Sequence, residues 1–265
     1  MSEQSARLTV RSLMNMKQRG EKITMLTAYD YPSAAMLDAA GVHCLLVGDS
    51  LGMVVQGHTT TIPVTLEQMI YHGEIVSRAS KRALVIVDLP FPVGQINVTH
   101  TVKAAARILK QTQCQAVKME GGHQQADSIA ALVDAGIPTI AHIGLRPQSV
   151  HALGGYRVQR DSERLMKDAM AAQNAGAFCV LMECVPAELA REVTKTLQVP
   201  TIGIGAGPDC DGQVLVTNDL LGWNAGHVAK FVRTYANLRD QASAAIESFC
   251  KDVQNGKFPN EKESF

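Results

Sequence analysis

The chain has 265 residues, of which 46% are hydrophobic and 19% charged, a composition that supports one large core. Its 25 basic residues balance 25 acidic ones, so it lacks the one-signed field that would hold a nucleic acid or an anionic membrane, and a small-molecule partner is expected. The first dozen residues contain no apolar run; neither a signal peptide nor a membrane anchor is predicted, and the expected setting is the cytosol.

In chain order, residues 5–19 predict a helix ahead of the first strand. Eight short apolar runs follow at 23–28, 43–47, 84–87, 114–119, 137–141, 178–182, 201–204 and 213–216. They are nearly continuous rather than alternating, as parallel strands are when helices cover one face and side chains fill the other. Between them, 102–111, 127–135, 161–175 and 187–197 space apolar residues three and four apart among helix formers. Gly41, Gly136 and Gly176 stand where a glycine closes a helix before the next strand. Each strand is therefore expected to feed a crossover helix. Such units without a linker predict an α/β fold, a single (β/α)8 TIM barrel domain over residues 1–265, with an extra N-terminal helix and C-terminal helical material at 226–253. Residues 254–265 are polar and expected to be mobile. The cysteines (Cys44, Cys114, Cys179, Cys184, Cys210 and Cys250) show no C-x-x-C spacing, so buried structural thiols are expected rather than disulfides or a zinc site.

The ionisable residues fall where strands stop. Asp49 follows Val47-Gly48, Asp88 follows Val87, Glu120 follows Met119, His142 follows Ala141 and Glu183 follows Met182. A barrel gathers those ends on one face, where barrel enzymes carry their chemistry. An oxygen-only cluster suits a hard divalent cation such as Mg²⁺, with Asp49 and Asp88 as first ligands; the plainer alternative is that the acids cap the following helices. Lys118 lies two residues before Glu120 and shares its side of the strand. It reads as a receiver of a substrate carboxylate, as a structural partner of Glu120, or as a Schiff-base nucleophile. Glu183 ends an apolar run in which desolvation raises a carboxyl pKa, which suits a general base, with a structural carboxylate as the alternative. The glycines of 202–207 either grip an anion through backbone N–H groups or permit close packing.

Specific motifs go further. Thr27-Ala28-Tyr29-Asp30, the run Val47-Gly48-Asp49-Ser50 continuing to Gly57-His58, Ile62-Pro63-Val64-Thr65, Val117-Lys118-Met119-Glu120-Gly121-Gly122, Gly154-Gly155-Tyr156, Glu183-Cys184-Val185-Pro186 and Asp211-Gly212-Gln213 strongly resemble the ketopantoate hydroxymethyltransferase family, in order, over roughly residues 8 to 260. The resemblance implies a (β/α)8 barrel that transfers a hydroxymethyl group from 5,10-methylenetetrahydrofolate to 3-methyl-2-oxobutanoate, giving 2-dehydropantoate for pantothenate synthesis. It also implies an Mg²⁺ site at Asp49, Asp88 and Glu120, oxo-acid contacts from Ser50 and Lys118, Glu183 as proton acceptor, and His142 and Tyr29 lining the pocket. A homodecamer is what the resemblance implies for assembly. Two departures, Arg146 and Arg160, fall in loops assigned to the rim where folate or a neighbouring subunit would lie. Without the resemblance, the residues also fit an oxo-acid lyase or aldolase.

Overall fold

The computed structural model describes residues 6–224 and 228–265. Its strands are β1 (Ile23–Thr27), β2 (Cys44–Val47), β3 (Leu84–Asp88), β4 (Ala116–Glu120), β5 (Thr139–Gly144), β6 (Cys179–Glu183), β7 (Thr201–Ile204) and β8 (Gly212–Leu215). The helices are α1 (Val10–Arg19), α2 (Tyr31–Ala39), α3 (Leu51–Val54), α4 (Leu66–Ala79), α5 (Val93–Ile96), α6 (Val98–Thr112), α7 (Ala126–Asp134), α8 (Ser162–Asn174), α9 (Ala187–Thr196), α10 (Thr217–Leu220) and α11 (Leu238–Gln254). All strand pairs are parallel, and β1 closes on β8, so the sheet is a barrel in chain order. The chain forms two compact units. Met1–Leu215 contains the barrel, and Val216–Phe265 contains α10, α11 and a final 3-10 turn.

The period-two geometry of strands divides the barrel unit's core in two. Val47, Val85, Val87, Val117, Met119, Ala141, Val180 and Met182 face outward into a layer shared with helix residues such as Met69, Ile108, Ile129 and Leu165. The alternate positions Ile23, Met25, Cys44, Leu46, Leu84, Ile86, Ala116, Ile140, Cys179, Leu181, Ile202 and Val214 form the second cluster, which fills the barrel. Leu13 and Met16 of α1 belong to that inner cluster, so the extra helix plugs the barrel at the end where the strands begin. Two residues further along the same register, the inward positions become Asp88, Lys118, His142 and Glu183. The inner face is apolar at one end and ionic at the other.

Several expected boundaries move. The N-terminal helix begins at Val10, where Thr9 caps it in a reciprocal bond with Ser12; Ser5 lies outside the described residues. The C-terminal helix begins at Leu238, with Asn237 accepting from the Asp240 N–H, whereas Gly226 lies outside the described residues. Residues 205–211 join β7 to β8 without a helix, contrary to the expected crossover, because Gly205, Gly207 and Pro208 interrupt any helical run. Strand β5 runs on through His142 to Gly144, since pairing with β6 continues that far. Gly41, Gly136 and Gly176 take left-handed φ values of 88°, 77° and 91°, each one residue beyond the alanine that ends its helix as C-cap. All the cysteines are free, and Cys44, Cys114, Cys179 and Cys210 are buried. No helix of the described residues is long and apolar enough to cross a membrane.

Because Leu13 is fully buried in the plug, Leu13→Ala is expected to lower unfolding free energy by about 2–5 kcal/mol. Urea denaturation would check it. The same experiment on Thr9→Ala, which removes only a cap, should show about 1 kcal/mol.

Candidate active site

Register brings the ionic side chains side by side. Asp88 of β3 pairs with Lys118 of β4, and Glu120 of β4 pairs with His142 of β5. Glu183 of β6 pairs with Gly144, placing it one strand further round. Asp49 and Ser50 follow β2 at the same end. Asp49, Asp88, Lys118, Glu120 and His142 are all buried. None of the four acids caps a helix. Among the described residues the side-chain caps come from Thr9, Asp30, Thr65, Asn97, Asp161, Asn237 and Asn260, so capping does not explain these carboxylates.

The Lys118 ammonium is in direct contact with Asp88 Oδ2, while Asp88 Oδ1 is buried with no hydrogen-bond partner among the described residues. Burial works to lower the Lys118 pKa, but the charges of Asp88, Asp49 and Glu120 outweigh it and hold the amine above its ordinary value. A firmly protonated amine has no lone pair for Schiff-base formation, so its surroundings favour a fixed cation. Burial raises the Asp88 carboxyl, opposed chiefly by Lys118. Glu120 is driven well above the usual carboxylate range by burial and then by Asp49.

Burial likewise pushes Glu183 up to about 7, with Lys118 pulling it back down. His142 is held well below its ordinary value by burial and then by Lys118, with Arg146 adding to the effect, so its ring is neutral near pH 7. His142 Nε2 lies 3.2 Å from Glu183 Oε2, and Nδ1 lies 3.9 Å from Glu120 Oε1, although neither contact is aligned as a hydrogen bond. Tyr29 Oη and Ser50 Oγ are 2.7 Å apart, and burial raises the phenol to about 12. The Ser50 hydroxyl is therefore held by a neutral Tyr29. Gly144, at φ 86°, has no room for a side chain, since a Cβ there would stand 2.4 Å from the Glu183 carbonyl.

The structure thus gathers Asp49, Asp88, Lys118, Glu120, His142 and Glu183 into one cluster, with Tyr29 and Ser50 paired to each other. Sequence reasoning gave no role to Gln148, which is 4% exposed and bonded to Asp49 and Glu120. Its only local signal is its place just after β5. Two of the glycines of 202–207 have a packing explanation: a Cβ on Gly203 would meet Cys210 at 2.8 Å, and one on Gly207 would meet Ala187 at 2.5 Å, while Gly205 takes a left-handed φ of 62°. Among the described residues no three His, Cys, Asp or Glu side chains form a ready-made metal cage. Mg²⁺ does not need one, since it commonly takes one or two carboxylates and keeps water and substrate oxygens.

A closed parallel barrel with a buried lysine among carboxylates at the strands' C-terminal ends defines the class, a barrel enzyme with its ionisable groups on the face where such enzymes carry their chemistry. Residues 7–261 match the family model described as ketopantoate hydroxymethyltransferase, and the chain belongs to that family. It is 58% identical to the 3-methyl-2-oxobutanoate hydroxymethyltransferase of Rhodopirellula baltica over 99% of this chain and 98% of that protein. The enzyme of the same name from Moorella thermoacetica is 51% identical, covering 99% of each chain. The chain is accordingly an enzyme, a hydroxymethyltransferase. Among solved structures, phosphonopyruvate hydrolase in complex with oxalate and Mg²⁺ superposes with a TM-score of 0.64 at 15% identity, over 97% of this chain and 93% of that one. A 2,3-dimethylmalate lyase of the PEP mutase/isocitrate lyase superfamily gives 0.61 at 20% identity, over 97% and 92%. At such identities these two share the fold alone.

Lys118→Met should raise the Glu183 pKa above its value of about 7, because the lysine is the charge that pulls it down. Carbon-13 NMR titration of the Glu183 carboxyl in metal-free protein would check this. Loss of the buried cation is also expected to cost about 3 kcal/mol of stability.

Proposed function

We propose that the chain transfers a hydroxymethyl group from 5,10-methylenetetrahydrofolate to 3-methyl-2-oxobutanoate, forming 2-dehydropantoate for pantothenate synthesis, with enolisation of the oxo acid as the step its residues perform. The observation that carries this reading is Glu183, a partly buried carboxyl with a pKa of about 7, next to the neutral His142 and under the pull of the cationic Lys118.

Asp49 and Asp88, with Glu120, would hold Mg²⁺. The unpartnered Asp88 Oδ1, the hard oxygen donors and the excess of buried carboxylates over the one lysine all fit a divalent cation. When bound, Mg²⁺ supplies Lewis-acid polarisation of the 2-oxo group. Lys118 and the Ser50 hydroxyl, oriented by Tyr29, receive the substrate carboxylate. Glu183, in its ionised form, takes the C3 proton onto a carboxylate oxygen, and a pKa near the working pH is what such a base needs. His142 stays neutral beside it and adds no charge that would hold Glu183 ionised and weaken it as a base. Water adds to the folate methylene and both of its C–N bonds break, with the water's two hydrogens ending on N5 and N10; C3 bonds to the released one-carbon unit, and Glu183 returns the proton it took to the resulting alkoxide, which restores the base. A cytoplasmic setting and assembly as a homodecamer belong to the same proposal, supported by the family resemblance.

The test is NMR of C3 proton exchange into deuterated water for 3-methyl-2-oxobutanoate, with and without Mg²⁺ and without folate. Wild type with Mg²⁺ should exchange well above the blank, the rate should rise with pH through about 7 as Glu183 ionises, and Glu183→Gln should slow it by about 10²-fold or more. Wild type at the blank rate contradicts the enolisation step. Normal exchange in Glu183→Gln removes Glu183 as the base.

A further inference from the structure

One buried residue outside the titratable cluster is hydrogen-bonded to two of its carboxylates. Gln148 sits in the 3-10 turn Pro147–Ser149 that follows β5. Its Nε2 donates to Asp49 Oδ2 and to the Leu89 carbonyl, each at 2.9 Å. Leu89 directly follows Asp88, so the same amide is fastened to the backbone beside the second carboxylate. The backbone N–H of Gln148 lies 3.2 and 3.1 Å from the two Glu120 oxygens. The remaining group, Oε1, accepts from Gln95 Nε2 at 3.1 Å. Both amide hydrogens and the amide oxygen are thereby used. Turning the amide over would aim its oxygen at the Asp49 carboxylate and the Leu89 carbonyl, so acceptor neighbours on one side and the Gln95 donor on the other fix its orientation.

We propose that Gln148 is a positioning residue that holds the Asp49 and Glu120 carboxylates and the Asp88-Leu89 backbone in one arrangement for the divalent cation and the oxo acid. The proposal rests on the functional reading above. Physically, three strand ends that diverge in sequence are clamped from a fourth by a neutral group. A neutral amide can do this without cancelling the negative charge that attracts the cation. Partners of this kind behind metal-binding carboxylates are commonly worth about 10- to 100-fold in metal affinity or activity.

The experiment compares wild type, Gln148→Met, Gln95→Ala and the double variant by Mn²⁺ titration followed by EPR, with C3 proton exchange and thermal unfolding measured alongside. Methionine keeps the length of the side chain and the backbone N–H to Glu120 but removes the amide donors. Gln148→Met is expected to weaken Mn²⁺ binding by about 10- to 100-fold and slow exchange in parallel. Gln95→Ala should give a smaller loss, and the double variant should be no weaker than Gln148→Met, because the two act through one amide. A merely structural role would lower the unfolding midpoint and leave the Mn²⁺ affinity of the folded protein unchanged. That result, with wild type binding Mn²⁺, overturns the positioning role and leaves the functional reading standing. Wild type that neither binds Mn²⁺ nor exchanges C3 overturns the functional reading, and the positioning proposal falls with it.

Discussion

The buried ammonium of Lys118 is the one interaction on which the rest of this site depends. It meets Asp88 directly and also feels Asp49, Glu120, His142 and Glu183. Its charge lets several carboxylates stand close together in a poorly solvated space, and those carboxylates in return keep the lysine charged. The same cation depresses the basicity of His142 and restrains the rise at Glu183. Burial is the larger influence on each neighbour, and this one charge opposes it at the carboxylates and adds to it at His142, while the acids in excess of the lysine make a site that suits a divalent cation.

A barrel carries such a cluster because its inner face is filled in layers. The apolar layers of Ile23, Cys44, Leu84, Ala116, Ile140 and Cys179, closed beneath by Leu13 and Met16, give the stability. The ionic layer stands on the same inward register, two residues on, so its side chains inherit their direction from strands that the core already holds rigid. Gly144 at the end of β5 leaves space beside the Glu183 backbone, and Gln148 in the turn that follows hydrogen-bonds to Asp49 and Glu120.

Much of this was legible in the sequence. Parallel strands buried on both faces read as apolar runs, and the ionisable residues ending five of the eight runs marked the face that carries the candidate site. What sequence missed depends on distant partners. Strand β5 runs past Ala141 because β6 pairs with it through Glu183, a register no local pattern encodes. Gln148 carries no charge and lies on an irregular turn, so nothing in its own neighbourhood announces bonds to residues at positions 49, 89, 95 and 120. The glycines of 202–207 were ambiguous for the opposite reason, since anion binding and tight packing call for the same residue. The late start of α11 had a local signal in the Asn237 cap that periodicity alone does not weigh.

The measurement that tests the account most directly is anomalous diffraction from crystals grown with Mn²⁺ and 3-methyl-2-oxobutanoate. The account predicts one Mn²⁺ peak about 2.1 Å from carboxylate oxygens of Asp49 and Asp88, with the substrate carboxylate against Ser50 and an unmodified Lys118, and C3 facing Glu183. A metal peak away from Asp49 and Asp88, or continuous density joining Lys118 Nζ to the substrate's C2, would contradict it.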